Sequence, residues 1–339
     1  MIVTYIRSSS YNNYEYCQMQ YFITYVLGHQ SISGKKAQLG TIVHKVMECL
    51  SACKKKTQEG KGSSLSITDD AIGKVTFTKK KLYTKKFVKD LLDRSYQHYT
   101  SNCVHNYTNA DLNFCKKSVE DGLSYNDGQF DPRNRNIVAT EPQFDIPIEA
   151  EWAKFKYKTP DGKTIKGQLA IKGTIDLVTE VDDGVIEVID WKTGRRLNWA
   201  TGEEKTYEKL LEDPQLLLYN YAISKLFPEY NQAIMSIFYI RDGGPFSMCF
   251  DQSDQQKFLK MLEKRFKQIQ RNDFPQPVSA SRSHFKCTKL CHFYKNKWPG
   301  TNISMCEHIE EHLKALGEEE TVEKCTRDGF EIGYYEAPG

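Results

Sequence analysis

Residues 173–194 read GTIDLVTEVDDGVIEVIDWKTG. Two β-branched runs flank Asp182-Asp183-Gly184, a turn signal, so the stretch reads as a hairpin. Side chains alternate along a strand, which puts Asp190 and Lys192 on one face, ~6.6 Å apart along the chain. Asp176, expected on the preceding strand, is brought beside them by the hairpin. Ile171, Ile175, Leu177, Val185, Ile186, Val188 and Ile189 surround these charges. A lone D-x-K is usually a solvated strand end. Two acids and a lysine among apolar neighbours are costly unless they pair or bind a cation. Two carboxylates beside an ammonium form a hard oxygen site for Mg2+ or Mn2+. There a metal lowers the pKa of bound water and polarises phosphate, while lysine orients the water or offsets developing charge.

Upstream, EPQFDIPIEAEW, KFKYKT and TIKGQLAIKG extend the pattern into a β-meander from about 140 to 193, with Pro160-Asp161-Gly162 as a second turn. Glu141 opens its first strand. Downstream, Asp213 as N-cap and Pro214 in the first turn start a helix that ends before Pro228. On it Gln215 and Tyr219 lie one turn apart. A carboxamide and a phenol can hydrogen-bond a phosphate or base near the lysine, although ordinary packing is the default for such a pair. A strand (AIMSIFYI) and an amphipathic helix over 254–270 follow.

Nearer the start, residues 11–27 are rich in Tyr and Phe. Leu39, Ile42, Val43, Val46, Met47 and Leu50 then recur at helical spacing. His44 falls at the rim of that apolar stripe. It is either a capped, satisfied histidine or an imidazole completing a metal's ligand set. Residues 51–81 read as an exposed basic insertion, followed by a helical stretch over roughly 82–125.

The length, 339 residues, allows about two domains, or one with insertions. Net charge is only +3, from 47 basic and 44 acidic residues, but this is a cancellation. Residues 54–94 carry twelve Lys/Arg against five Asp/Glu, while 307–339 carry three against ten. A uniformly basic coat protein is excluded. The runs Lys54–Lys56 and Lys79–Lys86 are solvated faces or a track for a nucleic-acid backbone. Arg195, Arg196 and Trp199, just after the D-x-K strand, are better placed for phosphate contact and base stacking. No apolar run spans a bilayer, and no secretory signal is read at the start, so the ten cysteines are expected as thiols in a cytoplasm.

Taken in order, GTIVH (40–44), GTID (173–176), IDWKTG (189–194) and QLLLY (215–219) resemble the PD-(D/E)xK nuclease superfamily, in its RecB-like exonuclease branch. The resemblance covers about residues 8–306. It implies an α/β fold, a restriction-endonuclease-like mixed central sheet flanked by helices, with a helical insertion at 51–135. It implies His44, Asp176 and Asp190 as metal ligands for Mg2+ or Mn2+, and Lys192 as the catalytic lysine. Gln215 and Tyr219 would support substrate and lysine. Glu141 matches an acidic position of the family or is a structural charge.

Cys17, in the aromatic stretch, and Cys287, Cys291 and Cys306, after DFPQPVSASRSHFK, resemble the iron–sulfur members of the branch. Those are the AddB-type helicase-nuclease subunits and CRISPR-associated exonucleases, where one early cysteine joins three late ones on a [4Fe–4S] cluster. The spacing here, C-x3-C and then fourteen residues, departs from the usual C-x2-C-x5-C. Zinc using His284, His292 or His308, or no metal at all, are the alternatives. Cys49, Cys53, Cys103, Cys115, Cys249 and Cys325 read as ordinary thiols.

The expectation is one nuclease domain over 1–306, with a cysteine-containing segment at 274–306 and an acidic helical tail over 307–339. The tail is expected to be peripheral, so that deleting 318–339 leaves cleavage intact. The expected activity is a metal-dependent DNA exonuclease acting on single strands or duplex ends, in recombination, repair or DNA processing. A structure-specific endonuclease, a non-catalytic DNA-binding recombination partner and a zinc-stapled scaffold are the competing readings. No Walker A motif occurs, so a helicase partner would be a separate chain.

Overall fold

The computed structural model describes residues 1–331 apart from 61, 102, 159–161 and 198–201. A short strand β1 (Tyr5–Ile6) leads into helices α1 (Ser8–Tyr16) and α2 (Gln18–Tyr21) and a π-helical turn over Phe22–Val26. The aromatic stretch is thus helical, and Tyr14, Tyr21 and Phe22 are buried in it. Helix α3 spans Lys35–Glu59, longer than the sequence stripe indicates. Its apolar face simply continues, because Cys53 falls in register after Val46 and Leu50 and is fully buried. Lys54–Lys56 therefore lie on a helix and not in a loop, and Lys55 donates to the carbonyl of Val138 at 3.0 Å.

The basic insertion read at 51–81 holds a hairpin, β2 (Leu65–Asp69) and β3 (Gly73–Phe77). Asp69 Oδ1 accepts from the N–H groups of Ala71 and Ile72, closing the turn, and Leu65, Val75 and Phe77 are buried against the helices. Helices α4 (Lys79–Leu82), α5 (Lys85–Ser101) and α6 (Asn109–Ser124) complete the region.

The meander divides among three sheets and is not one. Its strands are β4 (Asn136–Thr140), β5 (Gln143–Pro147), β6 (Lys154–Lys158), β7 (Thr164–Gln168), β8 (Ala170–Thr174), β9 (Leu177–Asp182) and β10 (Val185–Lys192). Strands β4 and β5 run antiparallel to β9 and β8 as one ribbon that is bent in the middle. At the corner Glu141 adopts a left-handed φ of 45°, and its N–H donates to the carbonyl of Asp176 at 3.1 Å. One half of the ribbon joins β1, in the order β1-β8-β5. The other half enters the central sheet. Strands β6 and β7 pair separately.

After β10 come α7 (Tyr207–Leu211), α8 (Pro214–Leu226), β11 (Gln232–Tyr239), β12 (Gly244–Cys249) and α9 (Gln252–Gln270). Asp213 caps α8 as expected, accepting from Gln215 N–H at 2.9 Å with Pro214 in the first turn. β10 and β11 are parallel, joined by a crossover through α8, and the central order is β12-β11-β10-β9-β4. Strand β12 escapes a sequence reading because Gly243-Gly244-Pro245 masks its start.

Near-continuous burial of β10 follows from helices covering both faces. Ile186 and Val188 pack with α8 and α9, while Ile189 and Trp191 pack with α3 and α5. The chain closes with α10 (His292–Lys295) and α11 (Met305–Cys325). Cys306 belongs to α11, so the boundary read at 306/307 cuts through a helix. Gly317 (φ 78°, ψ −179°) breaks α11 into two limbs. The second limb is not peripheral: Thr321, Val322 and Cys325 are buried, Glu318 pairs with the N-terminal ammonium at 3.1 Å, and Arg327 N–H bonds Leu27 O at 2.8 Å. No helix among the described residues is long and apolar enough to cross a membrane.

Candidate active site

The C-terminal end of β10 gathers the charges. Asp190 and Lys192 share a face as alternation requires, with Nζ 2.6 Å from Oδ2. Asp190 is buried, with this ammonium as the counter-charge of its Oδ2. Asp176 lies at the ribbon corner between β8 and β9, not on a strand as the sequence indicates. The corner frees its side chain from the ladder and turns it toward β10. Its Oδ2 accepts from Trp191 N–H at 3.0 Å and lies 3.3 Å from His44 Nδ1. His44 comes from α3, which approaches closely because Gly40 has no side chain: a Cβ there would sit 2.8 Å from Thr193 Oγ1.

Burial is the largest influence on every member. It opposes the charge of Lys192, yet Asp190 and Asp176 outweigh it and hold the ammonium above its ordinary range. It also opposes protonation of His44, but the charge and hydrogen bond of Asp176 raise that imidazole. Against burial, His44 and Lys192 depress Asp176. Asp190 goes the other way: burial raises it and the charge of Asp176 adds to that, while Lys192 pulls it down. A buried carboxylate raised by burial and by a neighbouring carboxylate is a group that a divalent cation would relieve.

Gln215 and Tyr219 do reach this site, but from behind. Gln215 Nε2 donates to Asp190 Oδ1 and to the Tyr219 hydroxyl, both at 3.0 Å, and that hydroxyl donates to Thr174 O at 2.9 Å. Both are therefore committed to the protein. They orient Asp190 and the end of β8, the packing role that such a pair has by default. Gln215→Ala is expected to lower the turnover of the cleavage reaction roughly 10–100-fold with little change in KM, the usual cost of losing an orienting partner. Single-turnover and steady-state kinetics on labelled DNA check this.

Two acids near the site have no D-x-K signal. Glu141, at the corner, is pushed up to about 7 by burial and then by the charge of Glu48, against the pull of Lys45, with Asp176 adding to the rise. Glu48 lies one turn beyond His44 on α3 and pairs with Lys45 at 2.5 Å. Its i+4 spacing from His44 is the one sequence signal that finds it.

Arg196 is not free for phosphate. Its guanidinium bonds Lys205 O and Glu204 and lies over the Phe246 ring at 4.5 Å, and its N–H donates to Asp242. Arg195 is exposed. Trp199 lies outside the described residues.

Far along the chain, Cys17, Cys287, Cys291 and Cys306 line one small cavity, with Tyr16, Phe293 and Tyr294. Arg282 Nη2 lies 3.7 Å from Cys306 Sγ and pairs with buried Glu310. Burial pushes Cys306 up to about 12 even so. No histidine lines the cavity among the described residues: His284 Nδ1 accepts from Lys286 N–H, and half-buried His292 contacts Asn296.

A family model described as the PD-(D/E)XK nuclease superfamily matches residues 8–295. No curated protein matches the chain. Among solved structures, the chain is similar to a candidate exonuclease from Eubacterium rectale, with 10% identity and a TM-score of 0.46 over 82% of this chain and 85% of that one. It is also similar to a protein designated SSO0001, with 15% identity and a TM-score of 0.27 over 73% of this chain and 93% of that one. The mixed α/β architecture, with sheets flanked by helices, agrees with the family match, which spans both halves of the charged cluster on β10 and α3. The chain belongs to the PD-(D/E)XK nuclease superfamily.

Proposed function

We propose that the chain is a Mg2+- or Mn2+-dependent deoxyribonuclease that hydrolyses phosphodiester bonds at DNA ends or in single strands. The carrying observation is the convergence of His44, Asp176, Asp190 and Lys192, with two buried carboxylates facing one ammonium. Asp176 and Asp190 would hold the ion, with His44 beside them. When bound it supplies positive charge to the attacked phosphate and acidifies water.

The chain's own groups do the rest. Lys192 keeps its proton and offsets negative charge that grows on the phosphate oxygens. Gln215 fixes the rotation of Asp190, and Trp191 N–H fixes that of Asp176. Exposed Arg195 contacts the DNA backbone beyond the site. The preference for ends rests on the resemblance of the four motifs to the RecB-like branch, and it fits a role in recombination, repair or DNA processing beside a separate helicase or recombination protein in a reducing cytoplasm.

A [4Fe–4S] cluster on Cys17, Cys287, Cys291 and Cys306 belongs to the same reading. The four thiols come from both ends of the chain and line one cavity.

With Mg2+ or Mn2+, end-labelled linear single strands should be degraded and circular single strands left intact. Cutting of circles would replace the exonuclease with a structure-specific endonuclease. Protein purified without oxygen should be brown with roughly four irons per chain. Colourless, iron-free protein would remove the cluster.

A further inference from the structure

Helix α11 carries a second set of metal-ligating side chains that the nuclease site and the four-cysteine cavity do not use. Its first limb presents His308 and His312 one turn apart. The break at Gly317 sends the second limb back, and Cys325 at its end returns to the two imidazoles. A ring nitrogen of each histidine and Cys325 Sγ all lie within 4.8 Å of one another. Three ligands in a tetrahedral shell, with Zn–N of ~2.0 Å and Zn–S of ~2.3 Å, sit about 3.5 Å apart. Small side-chain rotations close that gap.

We propose that His308, His312 and Cys325 form a zinc site that ties the two limbs of α11 together and leaves the fourth position to solvent.

The surroundings are those of a prepared ligand set. His312 Nδ1 lies 3.0 Å from the carbonyl of His308, which assigns the proton there and leaves Nε2 for a metal. The ring of His308 is stacked on Trp298, with centroids 4.5 Å apart and planes at 12°, so its orientation is fixed. Cys325 is buried, and its carbonyl lies 2.7 Å from His29 Nε2. Two imidazoles and a thiol are a borderline-soft set that suits zinc rather than magnesium or calcium. The excess of acids over bases in 307–339 attracts a cation to this end of the molecule.

The test is metal content and titration of the full chain, with Zn2+ alone and with Co2+ alone as a coloured substitute. Wild type should take up one equivalent of Zn2+ and, with Co2+, develop a thiolate-to-cobalt absorption band. Cys325→Ser should lose the band and the equivalent. His312→Gln, at a partly exposed position that tolerates replacement, should bind Zn2+ at least ~100-fold more weakly, and the zinc-induced rise in melting temperature should vanish with it. Cys287→Ser should keep the zinc equivalent while disturbing the four-cysteine cavity, so the two sites separate. The site is overturned if wild type takes up no zinc, if His312→Gln keeps full affinity, or if Cys287→Ser alone removes the zinc.

Discussion

Lys192→Met is expected to lower the rate of DNA cleavage roughly 10²–10³-fold, the usual cost of removing one preorganised positive group from a phosphate-transfer site. The reason lies in what the ammonium touches. It sits 2.6 Å from Asp190 Oδ2 and is held charged by two carboxylates against the cost of burial. Methionine keeps the stem and removes the charge. Asp190 then loses the neighbouring charge that pulls its pKa down against burial. Lys192→Arg restores charge without the point geometry and should recover only part of the rate. Cleavage assays beside thermal melts separate these outcomes. Equal rates for wild type and Lys192→Met would remove lysine from the chemistry.

The second large effect concerns the chain's acidic end. Deleting 318–339 should lower the melting temperature by roughly 5–10 °C, and cleavage should fall with the folded fraction at assay temperature. Losing the buried Val322 and Cys325 side chains costs about 3 kcal/mol. In a protein this large that corresponds to a few degrees per kcal/mol. The deletion also frees the N-terminal ammonium from Glu318 and removes the bond between Arg327 and Leu27. An unchanged melt would return the segment to the periphery.

The contrast between these two regions shows what a sequence carries. The D-x-K strand is legible because alternation and burial are local: seven apolar neighbours announce a covered strand, and period two fixes which residues share its face. The capped helix bearing Gln215 is legible for the same reason. Asp176 is legible as a member but not in its position, since the ribbon corner depends on a left-handed Glu141 and on pairing between residues far apart in the chain. Gln215 and Tyr219 are found by spacing, but their partners, Asp190 and the Thr174 carbonyl, lie on other elements and are not. The tail fails most completely. Ten acids among the residues 307–339 read as solvated, but a single glycine break at 317 folds Thr321, Val322 and Cys325 inward. Three buried side chains decide where that segment packs, and its composition is dominated by the rest.

The central claim is that Asp190 is a metal-binding acid of a working nuclease site. Asp190→Asn keeps the shape and the bond from Gln215 while removing the charge. In Mg2+ or Mn2+, wild type should degrade end-labelled DNA, and Asp190→Asn, equally folded by thermal melt, should leave it intact. Equal degradation by the two proteins would contradict the account.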